Sequence, residues 1–342
     1  MKDTRYIDME NGLEEKLPEL ISTQPLRNEV TATLTNLISN PYITAATSDN
    51  TRKAYRSDIK HFELWGGRLP STPEAIIAYL QAHAKNLNPR TLSRRLTALK
   101  NWHTYQGFSD PTLHPAIRKT MTGITKVHGK PKEKAYPLLP EDLLRIVLHL
   151  QAENSLISTR DNALLQMGFF GAFRRSELVA IHYEHIKWEK EGIEILLPQS
   201  KTDPTHEGQY CAIPYGQEAL CPVSALINWL KKSNIKNGAI FRRIFPNGAL
   251  AEENLTPLSV NHILKKRAMQ CKISYSDQLS SHSLRRGLAS SACRLGAGLP
   301  AIMRQGRWKQ VNTVMEYIEA SERFSENAAA SVLQKLSNGK IN

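Results

Sequence analysis

A stretch rich in lysine and proline divides this chain into two unequal parts. The stretch, HGKPKEKAYPLLPEDL (128–143), has no helical or strand periodicity, and its composition is typical of a linker between domains. The chain has 342 residues, which is more than one typical hydrophobic core accommodates. The sequence therefore predicts two domains joined by a linker at 128–138, with the second domain spanning 139–342.

The part before the linker is predicted to be helical. Four or five helices with short breaks are indicated from TSDNTRKAYRSDIKHFELWG to HPAIRKTMTGITKV, which places a helical domain at 45–127. We expect Thr47 or Ser48 to cap the first helix, and the Ser/Thr–Pro–Glu start of STPEAIIAYLQAHA predicts another. Residues 1–44 form a weakly patterned extension, partly helical or disordered, with one predicted helix, LRNEVTATLTNLIS.

The part after the linker is predicted to be mostly helical with one small sheet. Alternating residues and turn signals in EHIKWEKEGIEILLPQSKTDPTHEGQYCAIP (184–214) predict three antiparallel strands. LTPLSVNHILKKRAMQ and SHSLRRGLASSACRLGAG read as helices, the second closed by glycines. The expected fold class is therefore mainly α with a small antiparallel β-sheet.

The charge balance points to a polyanionic partner. Lysine and arginine number 45 against 32 acidic residues, and a net charge of +13 is typical of proteins that bind nucleic acid. In NPRTLSRRLTALKNWH (88–103), one helix face is apolar and the opposite face carries side chains of the types that pair with base edges in the major groove; a merely solvated face is the alternative. The candidate reading residues are Arg90, Arg94, Thr97 and Asn101, and phosphate contacts are predicted for Lys53, Arg56 and Lys60.

The sequence predicts a protein of a reducing compartment without a membrane segment. Its four cysteines form no CxxC pair, which argues against a zinc ribbon and a disulfide framework. The N-terminal MKDTRYIDMENGLEEK does not resemble a secretory signal, and the longest apolar run, ALLQMGFFGAF (163–173), is too short to span a bilayer. We expect a location in the bacterial cytoplasm, either free or associated with the nucleoid.

Motifs of metal-dependent and nucleotide-dependent enzymes are missing from the sequence. It contains no GxxxxGK[ST] phosphate loop, no HExxH pair and no acidic cluster typical of two-metal nucleases. His182 and His185 are three residues apart, but no further ligand is evident. We therefore expect no metal and no cofactor, so that any action on DNA would proceed by covalent catalysis.

Side chains suited to metal-free attack on a phosphodiester occur in the second part of the chain. SHSLRRG places His282 and Arg285 one turn apart at the start of a helix, where Ser280 or Ser281 can act as a cap. GAFRRSEL sets Arg174 three residues before Glu177, a spacing that also suits an ordinary helical salt bridge. Lys201 and Tyr317 complete the set, as a cation that can reach the leaving oxygen and as the nucleophile. Each also has a structural alternative. Lys201 can be an exposed hairpin lysine, and Tyr317 in GRWKQVNTVMEYIEA can be a packing residue at the edge of an amphipathic helix.

Taken in order, these residues resemble the tyrosine recombinase (phage integrase) family. The Arg box of that family is similar to AFRRSEL, its hairpin lysine falls in QSKTD, and its H-x-x-R box is similar to HSLR. GRWKQVNTVMEYI resembles the C-terminal box of Cre-like members, which have Trp where most members have His. The resemblance covers about residues 45–320 and implies the catalytic residues Arg174, Lys201, His282, Arg285, Trp308 and Tyr317, with Glu177 supporting Arg174. Arg175 and Arg286 duplicate two of these arginines, which leaves the register of the match open.

The resemblance implies a mechanism and an assembly. A two-domain clamp, made of a helical core-binding domain and a catalytic domain, would hold double-stranded DNA target sites, and Tyr317 would form a 3′-phosphotyrosine. Four protomers would assemble on two sites from a monomer or weak dimer, through a C-terminal helix with the apolar stripe Ala329, Val332, Leu333 and Leu336. Docking of this stripe on its own domain is the alternative. A second DNA contact, with exposed Ser259, His262 and Lys266, is implied for LTPLSVNHILKKRAMQ. The alternatives are a type IB topoisomerase-like enzyme that relaxes DNA and a DNA-binding regulator without catalysis on the same scaffold.

Overall fold

Two compact units make up the protein. The computed structural model describes residues 42, 46–131, 134–198, 208–321 and 328–337, and the side chains at 318–321, 331, 335 and 337 are not among those described. The units are Met1–Lys132 and Glu133–Asn342, and each has its own hydrophobic core. The helix predicted within 26–39 and the predicted catalytic Lys201 lie outside the described residues.

The described part of the first unit is helical. Ser48 Oγ accepts a hydrogen bond from the backbone N–H of Thr51, and Thr72 Oγ1 accepts one from that of Ala75, both at 3.3 Å. These bonds satisfy N–H groups that have no partner inside a helix. Of the two caps predicted for the first helix the structure has Ser48, and the predicted start of the second helix is confirmed with Thr72 as its cap. The elements are α1 (Asp49–Trp65), α2 (Pro73–His83), α3 (Pro89–Tyr105), a 3₁₀ turn (Pro111–Leu113) and α4 (Pro115–His128).

Apolar side chains at helical spacing form the core of the first unit. On α3 the buried residues Leu92 and Leu99 are two turns apart, so one face of the helix meets its neighbours. Burying a side chain of this size stabilises the fold by about 1.5–3 kcal/mol. The residues of this core that are almost completely buried are Phe62, Ile76, Tyr79, Leu80, Leu92, Leu99 and Ile117.

The second unit is mainly helical, and one of its long helices is mostly buried. Its helices are α5 (Pro140–Glu153), α6 (Leu156–Phe170), α7 (Arg175–Val179), α8 (Pro222–Ser233), α9 (Pro257–Gln270), α10 (Ser281–Arg294), α11 (Leu299–Gly306), α12 (Val311–Ser321) and α13 (Ala328–Ser337). Most of α6 is buried, and it packs against α5, α8 and α10. Its charged side chains are paired, since Asp161 accepts hydrogen bonds from Arg160 and Arg267. The central helix therefore supports α10, which carries two of the predicted catalytic residues.

Two small antiparallel sheets complete the second unit. The predicted three-stranded sheet is confirmed as β1 (Ile186–Trp188), β2 (Gly192–Leu197) and β3 (Gln209–Pro214), with β2 in the centre. A further two-stranded sheet, β4 (Arg242–Ile244) with β5 (Leu250–Asn254), was not predicted. Its strands are short, and their side chains are half-buried or exposed, so they lack the clear alternation that marks a strand in sequence. The expected fold class, mainly α with small antiparallel β structure, is confirmed.

A separate apolar cluster supports the C-terminal helices of the second unit. The buried residues of this cluster include Ala289 on α10, Ile302 on α11, Val314 on α12 and Trp308, which lies between α11 and α12. Tyr317 packs against them. This cluster holds three helices around the predicted catalytic residues. Within the described segments, no helix has the length and apolar character needed to cross a lipid bilayer.

Candidate active site

Arg174 is oriented by a carboxylate one helical turn away. The chain leaves α6, turns at Ala172, which has a positive φ of 44°, and enters α7 directly after Arg174. Glu177 is buried and accepts hydrogen bonds from the backbone N–H of Arg174 at 2.9 Å and from its Nη1 at 2.5 Å. The neighbouring Arg175 is exposed. Of the two arginines in AFRRSEL, these contacts favour Arg174 over Arg175 as the one that belongs to the candidate site.

Arg285 is buried beside the indole ring of Trp308. Its guanidinium donates hydrogen bonds to the backbone carbonyls of Ala172 and Gly306, and its Cζ lies 4.2 Å from the ring centroid of Trp308. Stacking of a guanidinium on an indole face fixes its plane. The α10 helix that carries Arg285 is therefore joined to the end of α6 and to the end of α11 through one side chain.

Burial and neighbouring cations lower the pKa of Arg285 to about 9. Burial is the largest cause, followed by repulsion from Arg174 and Arg307, whereas Glu177 and Tyr317 act in the opposite direction. A guanidinium with that pKa remains protonated near neutral pH. The same interactions identify the groups that surround Arg285: three other charged side chains and the phenol of the predicted nucleophile.

Tyr317 lies on α12 at the edge of the apolar cluster. Its ring centroid is 5.7 Å from that of Trp308, at an interplanar angle of 61°, and the Cζ of Arg286 lies 5.2 Å from the centre of the Tyr317 ring. Ser290 Oγ on α10 donates to the backbone carbonyl of Tyr317 at 3.3 Å. Packing and placement beside cations are both present, so the two interpretations of Tyr317 are compatible.

His282 occupies the second position of α10, one turn before Arg285. Ser280 caps the helix, since its Oγ accepts a hydrogen bond from the backbone N–H of His282 at 3.2 Å. The side chain of His282 is exposed, whereas Ser281 and Arg285 are buried. The helix start therefore presents the imidazole at the surface while the guanidinium points into the protein.

Comparison with known proteins identifies the family. Residues 138–323 match the phage integrase family. The chain belongs to this family of tyrosine recombinases. The enzyme class expected from the sequence, a tyrosine-type site-specific DNA recombinase, is thereby confirmed.

Two relatives and one solved structure illustrate how far the similarity extends. The integrase/recombinase XerD homolog of Selenomonas ruminantium is 37% identical over 297 residues, which cover 84% of this chain and 86% of that protein. The recombinase Cre of Escherichia phage P1 is 25% identical over 267 residues, which cover 73% of this chain and 76% of Cre. The fold is similar to that of the Tn1549 transposon integrase in complex with circular intermediate DNA, with a TM-score of 0.58, 15% identity, and coverage of 91% of this chain and 98% of the integrase.

The predicted base-reading residues of the recombinase are divided between exposed and half-buried positions of α3. Arg90, Arg94 and Thr97 are exposed, whereas Asn101 is half-buried. Arg94 donates through Nε and Nη2 to the two carboxylate oxygens of Asp58 on α1, each at 2.8 Å, and the Asp58 side chain is only 2% exposed. A buried carboxylate thus fixes the plane of this guanidinium at the surface.

The remaining predicted DNA contacts lie on α1 and α9. On α9, His262 and Lys266 are exposed, but Ser259 is half-buried, so its predicted exposure was wrong. The Ser259 hydroxyl bonds to Thr256 Oγ1 at 2.8 Å because the residue lies in the capped first turn. The predicted phosphate contacts on α1 are all exposed: Lys53, Arg56 and Lys60.

One charged residue of the cluster, Arg307, was not predicted. Its Nη2 lies 3.3 Å from the Glu177 Oε2 and 3.1 Å from the carbonyl oxygen of Gly171. The neighbouring Trp308 was predicted from the family resemblance of the same GRW triplet. This triplet contains no acidic residue at helical spacing that would have indicated a partner for Arg307. The partners of Arg307 are distant in sequence, so no local pattern indicated its role.

Proposed function

We propose that this recombinase cleaves and rejoins DNA by attack of Tyr317 on the scissile phosphate. The new bond joins the phenolic oxygen to phosphorus, and the bond from phosphorus to the 5′ oxygen breaks, which leaves a 3′-phosphotyrosine and a 5′-hydroxyl. Because one phosphodiester replaces another, the reverse reaction can join a different strand without ATP. The observation that carries the proposal is the position of the Tyr317 ring against Trp308 and Arg286, next to buried Arg285.

Two proton transfers accompany this exchange. A tyrosine has a pKa of about 10 in water, so its hydroxyl needs a base to react near neutral pH. We assign this role to His282, which is exposed at the start of α10. We assign to Lys201 the donation of a proton to the departing 5′ oxygen, an assignment that rests on the family resemblance of QSKTD.

Cations would stabilise the charge that develops on the two non-bridging phosphate oxygens. Arg174 and Arg285 can each donate two parallel hydrogen bonds to a phosphate, and the indole N–H of Trp308 can donate one further hydrogen bond. Glu177 fixes Arg174, and the indole ring fixes Arg285. A site with donors oriented before the substrate arrives spends little free energy on reorganisation during the reaction, which is the general requirement for electrostatic catalysis. We infer that no metal ion takes part.

We further propose that the recombinase acts on double-stranded target sites as a tetramer. The helical segment 45–127 would form a core-binding domain that reads DNA through α3, with residues 1–44 as an extension, and α9 would add a contact from the catalytic domain at 139–342. Val332, Leu333 and Leu336 of α13 are between 50% and 65% exposed, which is unusual for three aliphatic side chains on one short helix. Packing of this stripe onto a neighbouring protomer would bury it.

Trapping of the covalent intermediate tests the proposed chemistry. A target duplex is first selected from a random-sequence library by binding to Tyr317→Phe, and a nick is then placed just beyond each candidate phosphate so that the 5′-hydroxyl diffuses away. The wild type should form a protein–DNA band that resists denaturation in the presence of a chelator and without ATP. Tyr317→Phe should bind the same duplex and form no such band.

The outcomes separate the proposal from the alternatives. A band that persists in Tyr317→Phe, or that requires a divalent metal, would refute the assigned nucleophile or the metal-free reaction. Tight binding by the wild type with no band at any nick position would favour the regulator. Relaxation of supercoiled plasmids by a monomer, without joining of two sites, would favour the topoisomerase-like enzyme.

A further inference from the structure

Arg307 occupies an unusual position for a long charged side chain. It lies between α11 and α12 with φ 55° and ψ 43°, a left-handed conformation that glycine adopts far more easily than arginine. Its side chain is nevertheless 5% exposed. A buried arginine at a strained backbone position indicates that the surrounding groups require the guanidinium.

The guanidinium of Arg307 joins three segments of the catalytic unit. Nη1 donates to the carbonyl of Gln305 at 3.0 Å, and Nη2 contacts the carbonyl of Gly171 and the carboxylate of Glu177. The Cζ lies 4.9 Å from the ring centroid of Phe173. Arg307 therefore packs behind the turn that presents Arg174.

Arg307 adds one positive charge to the cluster around Glu177. Two cations, Arg174 and Arg307, contact this one buried carboxylate, and Arg285 lies close enough to be repelled by both. Guanidinium groups remain protonated in proteins at neutral pH. With Arg307 present, three cations and one anion leave a net charge of +2 in the cluster. Without it, Glu177 would offset the charge of Arg174 and leave a net charge of +1.

We propose that Arg307 is a positioning residue for strand cleavage, which neutralises Glu177 so that the orientation and the positive charge of Arg174 both remain available to the scissile phosphate. This inference rests on the proposed function. Arg307 itself contacts carbonyl groups and Glu177, so its effect on the phosphate is exerted through the electrostatic field and through Arg174.

The ionisation of Glu177 is consistent with this role. Burial by itself would raise the pKa of this carboxyl, but the Arg174 backbone N–H, Arg307 and the Arg174 side chain lower it below its ordinary value. Glu177 therefore stays charged at neutral pH. Since it keeps its negative charge, a second cation beside it leaves the positive charge of Arg174 uncompensated.

Substitution of Arg307 tests the proposal on the nicked duplex described above. Arg307→Gln keeps hydrogen-bond donors but removes the charge, and we expect cleavage to slow by about 10- to 100-fold, the usual effect of losing a group that orients a site residue. Binding to the duplex should be unchanged. Arg307→Lys should recover most of the rate, because it restores the charge. Arg175→Gln, at the exposed arginine beside Arg174, is the matched control and should cleave at the wild-type rate.

A neutral substrate distinguishes a charge effect from a structural one. A methylphosphonate at the scissile position removes one negative non-bridging oxygen, so the reaction needs one cation fewer. The rate difference between the wild type and Arg307→Gln should then largely disappear. An equal difference on both substrates, or a loss in Arg307→Lys as large as in Arg307→Gln, would overturn the proposal. Should Arg307→Gln fail to fold, Arg307→Gly, which suits the backbone conformation, carries the same comparison.

The controls also separate this inference from the proposed function. If the wild type forms no covalent intermediate on either substrate, the phosphotyrosine mechanism fails. If the wild type cleaves and Arg307→Gln cleaves equally fast, the mechanism stands and the role assigned to Arg307 fails.

Discussion

Gly287 lies where α10 passes close to the backbone of Leu138. A Cβ atom at this position would fall 2.7 Å from the ring of Phe169 and closer still to the carbonyl oxygen of Leu138. The same Leu138 donates its N–H to the carbonyl of Ser283 at 3.0 Å, so the segment before α5 is held against α10. We therefore predict that Gly287→Ala destabilises the second unit and slows cleavage.

The expected magnitude follows from two opposing effects. Alanine is better than glycine inside a helix by about 1 kcal/mol. Carbon atoms pack at about 3.5–4.0 Å, so the new methyl group requires a shift of about 1 Å in a close-packed region, where overpacking typically costs 1–3 kcal/mol and more against rigid backbone. The expected net loss in the free energy of unfolding is about 1–2 kcal/mol.

A second glycine provides the control for the sign of the effect. Gly123 lies inside α4, and an added Cβ would meet no atom within 4 Å. Gly123→Ala should raise the free energy of unfolding of the first unit by about 0.5–1 kcal/mol, because alanine has fewer unfolded conformations to lose. The pair therefore tests local packing against general helix propensity.

Urea unfolding followed by circular dichroism measures both variants, with the two units treated as separate transitions if they unfold separately. The nicked-duplex reaction then reports whether a displaced α10 reduces the cleavage rate, since this helix carries Arg285 and His282. A Gly287→Ala variant that is as stable as the wild type, alongside the expected gain for Gly123→Ala, would refute the close approach of α10 to Leu138.

Two further predictions concern the acidic residue of the site and the C-terminal helix. Glu177→Gln should lower the free energy of unfolding by about 3 kcal/mol near neutral pH, since it leaves buried Arg307 and half-buried Arg174 without their counter-charge. The pKa of Glu177 is lowered in the folded state, so the stabilisation by its carboxylate is present above the unfolded-state pKa and is lost as the pH falls through the folded-state pKa. In urea titrations below about pH 4, the difference in unfolding free energy between wild type and Glu177→Gln should therefore shrink. A difference that stays constant with pH would contradict the assignment. Leu333→Asp should reduce formation of the proposed four-protomer complex on DNA carrying two selected sites, measured by sedimentation velocity, because the charge prevents burial of the exposed stripe. Gln334→Asp on the same helix is its control, and equal assembly by the two variants would argue against docking through this stripe.

Much of the helical architecture was predictable because capping is local chemistry. Ser48, Thr72 and Thr256 each accept a hydrogen bond from a backbone N–H three residues later, so capping residue types in the sequence indicate the start of such helices to within about one residue. The three-stranded sheet was predictable from its alternation. The β4–β5 pair was not, because its short strands bury no continuous face and pair across a turn with an irregular register.

The candidate site was predictable only in part. The order of its residues along the chain indicated the family, and the spacing of Arg174 and Glu177 indicated their pairing. The partner of Arg94 was not evident, because Asp58 lies on a different helix 36 residues earlier. Ser259 was misjudged because its position in a capped first turn buries part of the side chain and occupies its hydroxyl.

Interactions within a few residues therefore account for the helix boundaries, the polar face of α3 and the Arg174–Glu177 pair, since turn geometry alone brings those groups together. The charge arrangement of the site depends on tertiary packing. Arg307 reaches Glu177 across 130 residues, and Arg285 reaches the carbonyl of Ala172 across 113. Such contacts form only when α7, α10 and α11 pack around one buried carboxylate, because no local periodicity connects residues so far apart in the chain.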